Sequence, residues 1–244
     1  PMGHRLRLRD WILLLLLACG APAMAWAPET RVRQLDEAVR LLPASLRLAL
    51  ENHRTALLRG ALEPLKREDE PGHAPPWADG TLEQSLEREV VVLLQQLSEP
   101  GDFERVAYAF GRVAHYVADA GFPPGVGGPG GSSRYRHYAA FCESRRERFP
   151  LVFYGHEDTN LSAGDWVAWV LTVMQRANGE DAMLARAYAA AGDPPAAWAF
   201  DDRSVPFAVG SLAYSRTITD IVRVWIALWQ KAGGDVGRTP YRQE

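Results

Sequence analysis

Hydrophobic residues recur every three or four positions through most of the chain, which is the spacing of an amphipathic α-helix. From Thr30 onward this pattern predicts an almost entirely helical protein. The predicted helices span residues 30–43, 46–60, 81–97, 101–120, 134–148, 165–177, 182–191 and 204–232. The segment Leu151–Tyr154 favours a β-strand, but it has only four residues. Because no repeat and no linker divides the pattern, we expect one all-α domain over residues 26–244.

The first 25 residues have the pattern of an export signal. Three arginines precede a short apolar run at residues 11–18, and the small residues of Ala23–Ala25 are typical of a cleavage site. The run is too short to span a bilayer. Cleavage after Ala25 would release a secreted or periplasmic chain that begins at Trp26. Cys19 directly follows the run and fits a bacterial lipoprotein signal, which would anchor the chain to the cell envelope by a lipid. Both fates stay open from the sequence.

Composition and charge narrow the classes of partner. The chain has 244 residues, a net charge of −3 and a 47% hydrophobic fraction, so it is long enough to bury a sizeable core. Residues 1–25 contain three arginines and one aspartate, and their removal changes the net charge to −5. This charge argues against binding to double-stranded nucleic acid. Cys142 is the only cysteine after Trp26, so we expect no internal disulfide.

A histidine and an aspartate stand four positions apart near the end of the fourth predicted helix. At this spacing the side chains of His115 and Asp119 lie on one helix face, where an imidazole and a carboxylate can bind the same metal ion. The face is roughly opposite the apolar stripe of the helix. On spacing alone, a solvated polar face is therefore the simpler interpretation, and metal binding is the alternative.

Other residues of the chain favour metal binding over a solvated polar face. Trp26 directly follows Ala-Met-Ala, and Gly111–Pro123 has the pattern Gly-x-x-x-His-Tyr-x-x-Asp-x-x-x-Pro. Together with Gly60–Pro64 and the segment from Thr219 to Gly233, these features resemble the zinc-dependent phospholipases C and the single-strand nucleases that share their fold. The resemblance covers nearly all of the chain from Trp26 onward, and its most specific parts are the helix motif and the position of Trp26.

The resemblance implies an all-α, phospholipase-C-like fold with a zinc centre that hydrolyses phosphoric diesters such as phospholipids. The family uses three zinc ions to orient the diester, activate water and stabilise the leaving oxygen. Matching positions imply that His115, Asp119 and the amino group and carbonyl of Trp26 are zinc ligands. His73, in the irregular connection over residues 61–80, and His137, on the next predicted helix, are the further candidate ligands.

Several positions depart from the family pattern. Arg31 stands where the resemblance implies a zinc-binding histidine, Leu65 where it implies an aspartate, and Gly125 where it implies another histidine. His137 is followed four positions later by Phe141 instead of an acidic residue. We therefore expect fewer than three zinc ions, or none.

Three functions stay open from the sequence. The first is a phospholipase-C-like phosphodiesterase with a reduced metal complement that acts at a membrane surface or on another phosphodiester. Its general base cannot be assigned, because Leu65 replaces the candidate aspartate. The second is a non-catalytic pseudoenzyme that keeps the fold for binding, and the third is a structural envelope protein without a site. In the second case the fixed charge of Arg31 would replace a cation and pair with Asp119.

Overall fold

α-Helices dominate the computed structural model, which describes residues 25–67, 70–99, 101–124, 133–192 and 199–242. These residues form nine α-helices and no β-strand, so the all-α prediction is confirmed. In chain order the helices are α1 (Pro28–Arg40), α2 (Ala44–Asn52), α3 (Arg54–Leu62), α4 (Leu82–Ser98), α5 (Phe103–Ala120), α6 (Ser133–Arg145), α7 (Thr159–Ala163), α8 (Trp166–Ala191) and α9 (Val205–Lys231). Single 3-10 turns follow α3 and α6, and two more precede α4. Residues 1–24, which hold Cys19 and all of the predicted export signal except Ala25, lie outside the described residues, as does Gly125.

The predicted helix over residues 46–60 is wrong in one respect, because the chain leaves helical geometry at His53. The backbone there has φ −116° and ψ 28°, so α2 ends at Asn52 and α3 begins at Arg54. The ring of His53 lies 5.5 Å from the ring of Phe103, centroid to centroid. The break therefore places His53 against the start of α5.

The two helices predicted over residues 165–177 and 182–191 are one continuous helix, α8. Asn178 and Gly179 lower the intrinsic helix propensity between them. Two ion pairs to neighbouring helices stabilise this stretch: Glu180 pairs with an arginine of α9, and Asp181 pairs with Arg134 at 2.9 Å. Tertiary contacts thus override the local preference.

The predicted strand at Leu151–Tyr154 is wrong, although the segment has no helical structure either. It runs beside α9, and its backbone bonds to hydroxyl groups of that helix. The N–H of Val152 donates to Ser215 Oγ at 3.1 Å, and the N–H of Tyr154 donates to Thr219 Oγ1 at 3.2 Å. Side-chain hydroxyls therefore take the place that a neighbouring strand would have.

The helix α5 lies at the centre of the molecule and carries the His115 motif. Its start is capped by Asp102, whose side chain accepts the N–H of Glu104 at 2.9 Å. A Cβ at Gly111 would collide with the backbone of α3, and a Cβ at Gly60 would collide with the backbone of α5. The two glycines thus allow these helices to touch along their backbones. On the other side, the indole N–H of Trp225 in α9 donates to the carbonyl of Phe110 at 3.1 Å.

These contacts bury the last two turns of α5 on every side, including the face that carries His115 and Asp119. The solvated-face interpretation of that spacing is therefore wrong. Within the described part of the chain, no helix is both long and apolar enough to cross a membrane. Cys142 is a buried free thiol.

Candidate metal centre

Three side chains converge beside the last turns of α5. His115 and Asp119 come from α5, and His73 comes from the 3-10 turn Pro71–His73 that precedes α4. His115 Nε2 lies 3.1 Å from Asp119 Oδ2 and 3.2 Å from His73 Nδ1. His73 Nδ1 lies 2.7 Å from the same carboxylate oxygen. One donor atom of each residue therefore points to a common centre.

The donor set and its spacing fit a single zinc ion. Two imidazole nitrogens and one carboxylate oxygen are ordinary zinc ligands, and ligands about 2.0–2.1 Å from a tetrahedral zinc are roughly 3.3 Å from one another. Two of the observed separations, 3.1 and 3.2 Å, are close to this value, and the third, 2.7 Å between His73 and Asp119, is that of a hydrogen bond. Among the described residues, these three side chains form the group of histidine, cysteine and acidic residues that could hold a metal.

A backbone carbonyl fixes the orientation of His115. Its Nδ1 lies 2.7 Å from the carbonyl oxygen of Ala61, at the end of α3. A carbonyl only accepts hydrogen bonds, so Nδ1 carries the proton and the lone pair of Nε2 faces Asp119 and His73. Metal-binding histidines are commonly oriented in this way. Sequence reasoning missed Ala61, because a main-chain acceptor leaves no signal in residue types.

Tyr116 supports His73. Its ring stacks on the imidazole with centroids 5.3 Å apart and an interplanar angle of 29°. The tyrosine directly follows His115 in the helix motif, so one turn of α5 both supplies a donor and positions a second one.

Arg31 closes one side of the group. It lies on α1 and is 2% exposed. Its Nη2 donates to Asp119 Oδ1, its Nη1 donates to the carbonyl of His115 at 3.1 Å, and its Nε donates to the carbonyl of Trp26 at 2.9 Å. The predicted ion pair between Arg31 and Asp119 is therefore present. The guanidinium binds one oxygen of the carboxylate, and the other oxygen faces the two histidines.

Charges within the group determine its protonation. Burial alone would raise the pKa of Asp119, but the adjacent ring of His115, the positive charge of Arg31 and the hydrogen bond with His73 outweigh it and hold this pKa well below its usual range. Burial lowers the pKa of His115, and the positive charge of Arg31 acts in the same direction against the attraction of Asp119. The carboxylate is thus ionised at neutral pH and His115 is neutral, which are the protonation states that bind metal.

The other candidate residues lie elsewhere. His137 of α6 does not belong to the group. Its Nδ1 lies 2.7 Å from the hydroxyl of Tyr188 in α8. Leu65 is buried in the 3-10 turn after α3. Trp26 is buried with its ring 5.0 Å from that of Phe122. Of Trp26, it is the carbonyl that reaches the group, through Arg31.

A small internal space adjoins the group. It has a volume of about 10 Å³ and is lined by Arg31, Gln34, His115 and Ile221 among others. This is room for about one water molecule. The side-chain amide of Gln34 is buried there, and neither its oxygen nor its nitrogen has a hydrogen-bond partner among the described residues.

No protein-family model and no curated protein matches the sequence. Among solved structures, the alpha-toxin of Clostridium perfringens, from an avian strain, matches with a TM-score of 0.58 and 14% identity. The match covers 88% of this chain and 66% of the toxin chain. The chain has an alpha-toxin-like fold. At this identity the likeness is one of fold alone.

Proposed function

We propose that this alpha-toxin-like chain is a phospholipase-C-like phosphodiesterase that works with one zinc ion. The observation that carries the proposal is the convergence of His73 Nδ1, His115 Nε2 and Asp119 Oδ2 at separations that suit one metal. The resemblance of Gly111–Pro123 to the zinc-dependent phospholipases C supports it, as does the fold. The substrate class is a phosphoric diester, with phospholipid as the first candidate.

Three protein ligands are the complement of a catalytic zinc site, in which a further position stays open. Zinc bound there would act as a Lewis acid towards a phosphoryl oxygen and lower the pKa of water. The protein's own residues would orient the metal ligands and neutralise the charge of the carboxylate. Ala61 holds the His115 ring, and Arg31 fixes Asp119 and keeps a permanent positive charge beside it.

A second candidate function is metal-dependent or metal-free binding without hydrolysis. Two observations favour it: His115 and Asp119 are 1% and 4% exposed, and the guanidinium of Arg31 already binds one oxygen of the carboxylate. A buried group of this kind stabilises the fold without contact to a substrate. The hydrolase would turn over a phosphodiester, and the binding protein would bind its ligand without turnover. A purely structural protein would bind no ligand at this group.

Zinc content tests the metal site. The chain from Trp26 onward, dialysed against excess zinc and then against buffer, should retain one zinc ion per molecule by elemental analysis. His115→Ala should retain less than one tenth of that amount, because it removes one of three ligands. His137→Ala is the matched control and should retain one zinc. Less than one zinc in the parent protein, or equal content in His115→Ala, would overturn the proposed site.

Turnover then separates the two candidates. The zinc-loaded protein should hydrolyse a chromogenic phosphocholine ester, and single-stranded DNA should be tested beside it as the alternative phosphodiester. Activity should disappear in His115→Ala and persist in His137→Ala. Stoichiometric zinc without turnover of either substrate would overturn the hydrolase proposal and support the binding protein.

A further inference from the structure

A cleft of about 910 Å³ opens on a different part of the molecule. It lies between the segment over residues 154–164, the start of α8, the C-terminal half of α9 and residues 241–242. None of His73, His115 and Asp119 lines it. Its volume is within the range of about 300–1,000 Å³ that small-molecule sites have. The cleft is therefore large enough for a ligand and separate from the metal group.

One arginine is held in the cleft by the main chain. Arg223 Nε donates to the carbonyl of Gly155 at 2.8 Å, and its Nη2 donates to the carbonyl of Tyr154 at 2.9 Å. The nearest carboxylate oxygen, on Asp220, is 3.8 Å from Nη1, which is beyond a hydrogen bond. A guanidinium has five N–H donors, so this one is oriented by two acceptors and keeps donors for an anion.

A lysine lies about two helical turns after Arg223, at the end of the same helix α9. Lys231 is one of two lysines in the chain, and its Nζ would be 3.8 Å from a Cβ at Gly164, in the turn between α7 and α8. It is exposed, and it makes no ion pair with the described acidic residues. Arg242 is the third cation of the lining. Lys231 and Arg242 are thus available to a ligand from solvent.

The acidic residues of the lining only partly balance these charges. They are Glu157 and Asp158. The carboxylate of Asp158 caps α7 and accepts the N–H groups of Asn160 and Leu161 at 3.0 and 3.1 Å. The remaining charge is positive. The pKa of the nearby His156 is lowered chiefly by burial, against a hydrogen bond with the backbone of Leu41, and the charges of Arg242 and Arg223 add to the lowering.

The smaller, apolar part of the lining forms one wall of the cleft at the edge of the hydrophobic core. Leu161 and Ile226 are 5% and 6% exposed and belong to the hydrophobic core. Trp166 and Ala227 pack against that core and face the cleft. A ring or an alkyl chain could be covered by this wall while a charged group reaches the cations.

We propose that the cleft binds an amphiphilic organic anion, with its anionic group at Arg223 and Lys231 and its apolar body against Trp166 and Ile226. Fatty acids and aromatic carboxylates or sulfonates share this chemistry. Preorganised positive groups beside an apolar wall give orientation and affinity together.

The probe for the test is 8-anilinonaphthalene-1-sulfonate, titrated into the folded chain and followed by its fluorescence. Lys231→Gln should weaken binding about fivefold, as expected for one charge-assisted contact. Ala227→Phe should abolish it, because the new ring occupies the cleft from the surface of α9. Laurate should displace the probe, and inorganic phosphate at the same concentration should not.

Two controls match these variants. Lys66→Gln removes the chain's other lysine, and Ala208→Phe adds the same ring to α9 at an exposed position outside the cleft. Both should leave the affinity unchanged, and circular dichroism should show that all four variants are folded. Equal affinity in Ala227→Phe and the parent, or an equal loss in the controls, would overturn the site. Displacement by inorganic phosphate would overturn the amphiphile as its ligand. These results do not depend on zinc content or turnover.

Discussion

Arg31 brings a permanent positive charge to a position where the resembled family has a neutral ligand and a metal ion. A guanidinium does not lose its proton at accessible pH, so the charge beside Asp119 is constant. Its three hydrogen bonds join α1, the chain just ahead of α1, and α5. One side chain thus neutralises a buried carboxylate and holds three parts of the chain together.

Replacing this arginine should therefore be costly. Arg31→Met leaves Asp119 buried without its cation, and we expect the free energy of unfolding to fall by about 3–5 kcal/mol. Urea denaturation in the presence of a chelator measures this loss. The control is Arg54→Met, which breaks a pair with Asp36 in which both side chains are nearly half exposed. It should cost less than about 1 kcal/mol. A similar small loss in both variants would contradict a role for Arg31 in the core.

At the scale of elements, α3 and α5 cross with their backbones in close contact. Gly60 and Gly111 face each other's helix, and a side chain at either would meet backbone atoms that have no freedom to move aside. The crossing also sets the chemistry, because α3 ends with the carbonyl of Ala61 that orients His115 of α5. Displacement of one helix would therefore disturb the metal group.

A pair of glycine substitutions tests this crossing. Gly111→Ala should lower the free energy of unfolding by about 3 kcal/mol or more, because the methyl group overlaps the backbone of α3. Zinc retention should fall with it. Gly179→Ala, in α8, meets nothing within 4 Å and should raise stability by about 0.5–1 kcal/mol through helix propensity. Thermal unfolding of both variants measures the difference. A neutral Gly111→Ala would show that the helices can separate without cost.

The sequence predicts elements well where the signal is local. The start of α5 follows from the cap at Asp102, and the convergence of His115 with Asp119 follows from their spacing of four. The sequence-based prediction fails where contacts with residues far away in the chain determine the local structure. The continuity of α8 depends on an arginine of α9, and the extended form of 151–154 depends on hydroxyls of α9. The sequence also does not predict that His73 lies next to α5, because a 3-10 turn in an irregular connection determines the position of this residue.

For the whole molecule, the buried hydrophobic residues form one cluster. Every one of the nine α-helices described contributes to it, from Leu35 in α1 to Trp225 in α9. A chain divided into independent domains would instead have separate clusters with few contacts across a linker. We therefore propose that residues 26–244 are one domain, as the sequence predicts.

One shared core should unfold in one step. Urea titrations followed by far-ultraviolet circular dichroism and by tryptophan fluorescence should give the same midpoint. The tryptophans suit this test because they are spread along the chain, with Trp26 before α1, Trp169 in α8 and Trp225 in α9. Two midpoints, or a plateau between them, would show that part of the chain folds separately.

The contact of Arg31 with the carbonyl of Trp26 also has a consequence for biosynthesis. The sequence predicts that a peptidase removes residues 1–25, and the main-chain oxygen of Trp26 would be the same atom before and after such a cut. A metal contact through a terminal amine, as the resembled family has, exists only once that cut is made. The arginine bridge would thus be available to the predicted precursor, and we expect this corner of the protein to assemble whether or not the amino terminus has been cut.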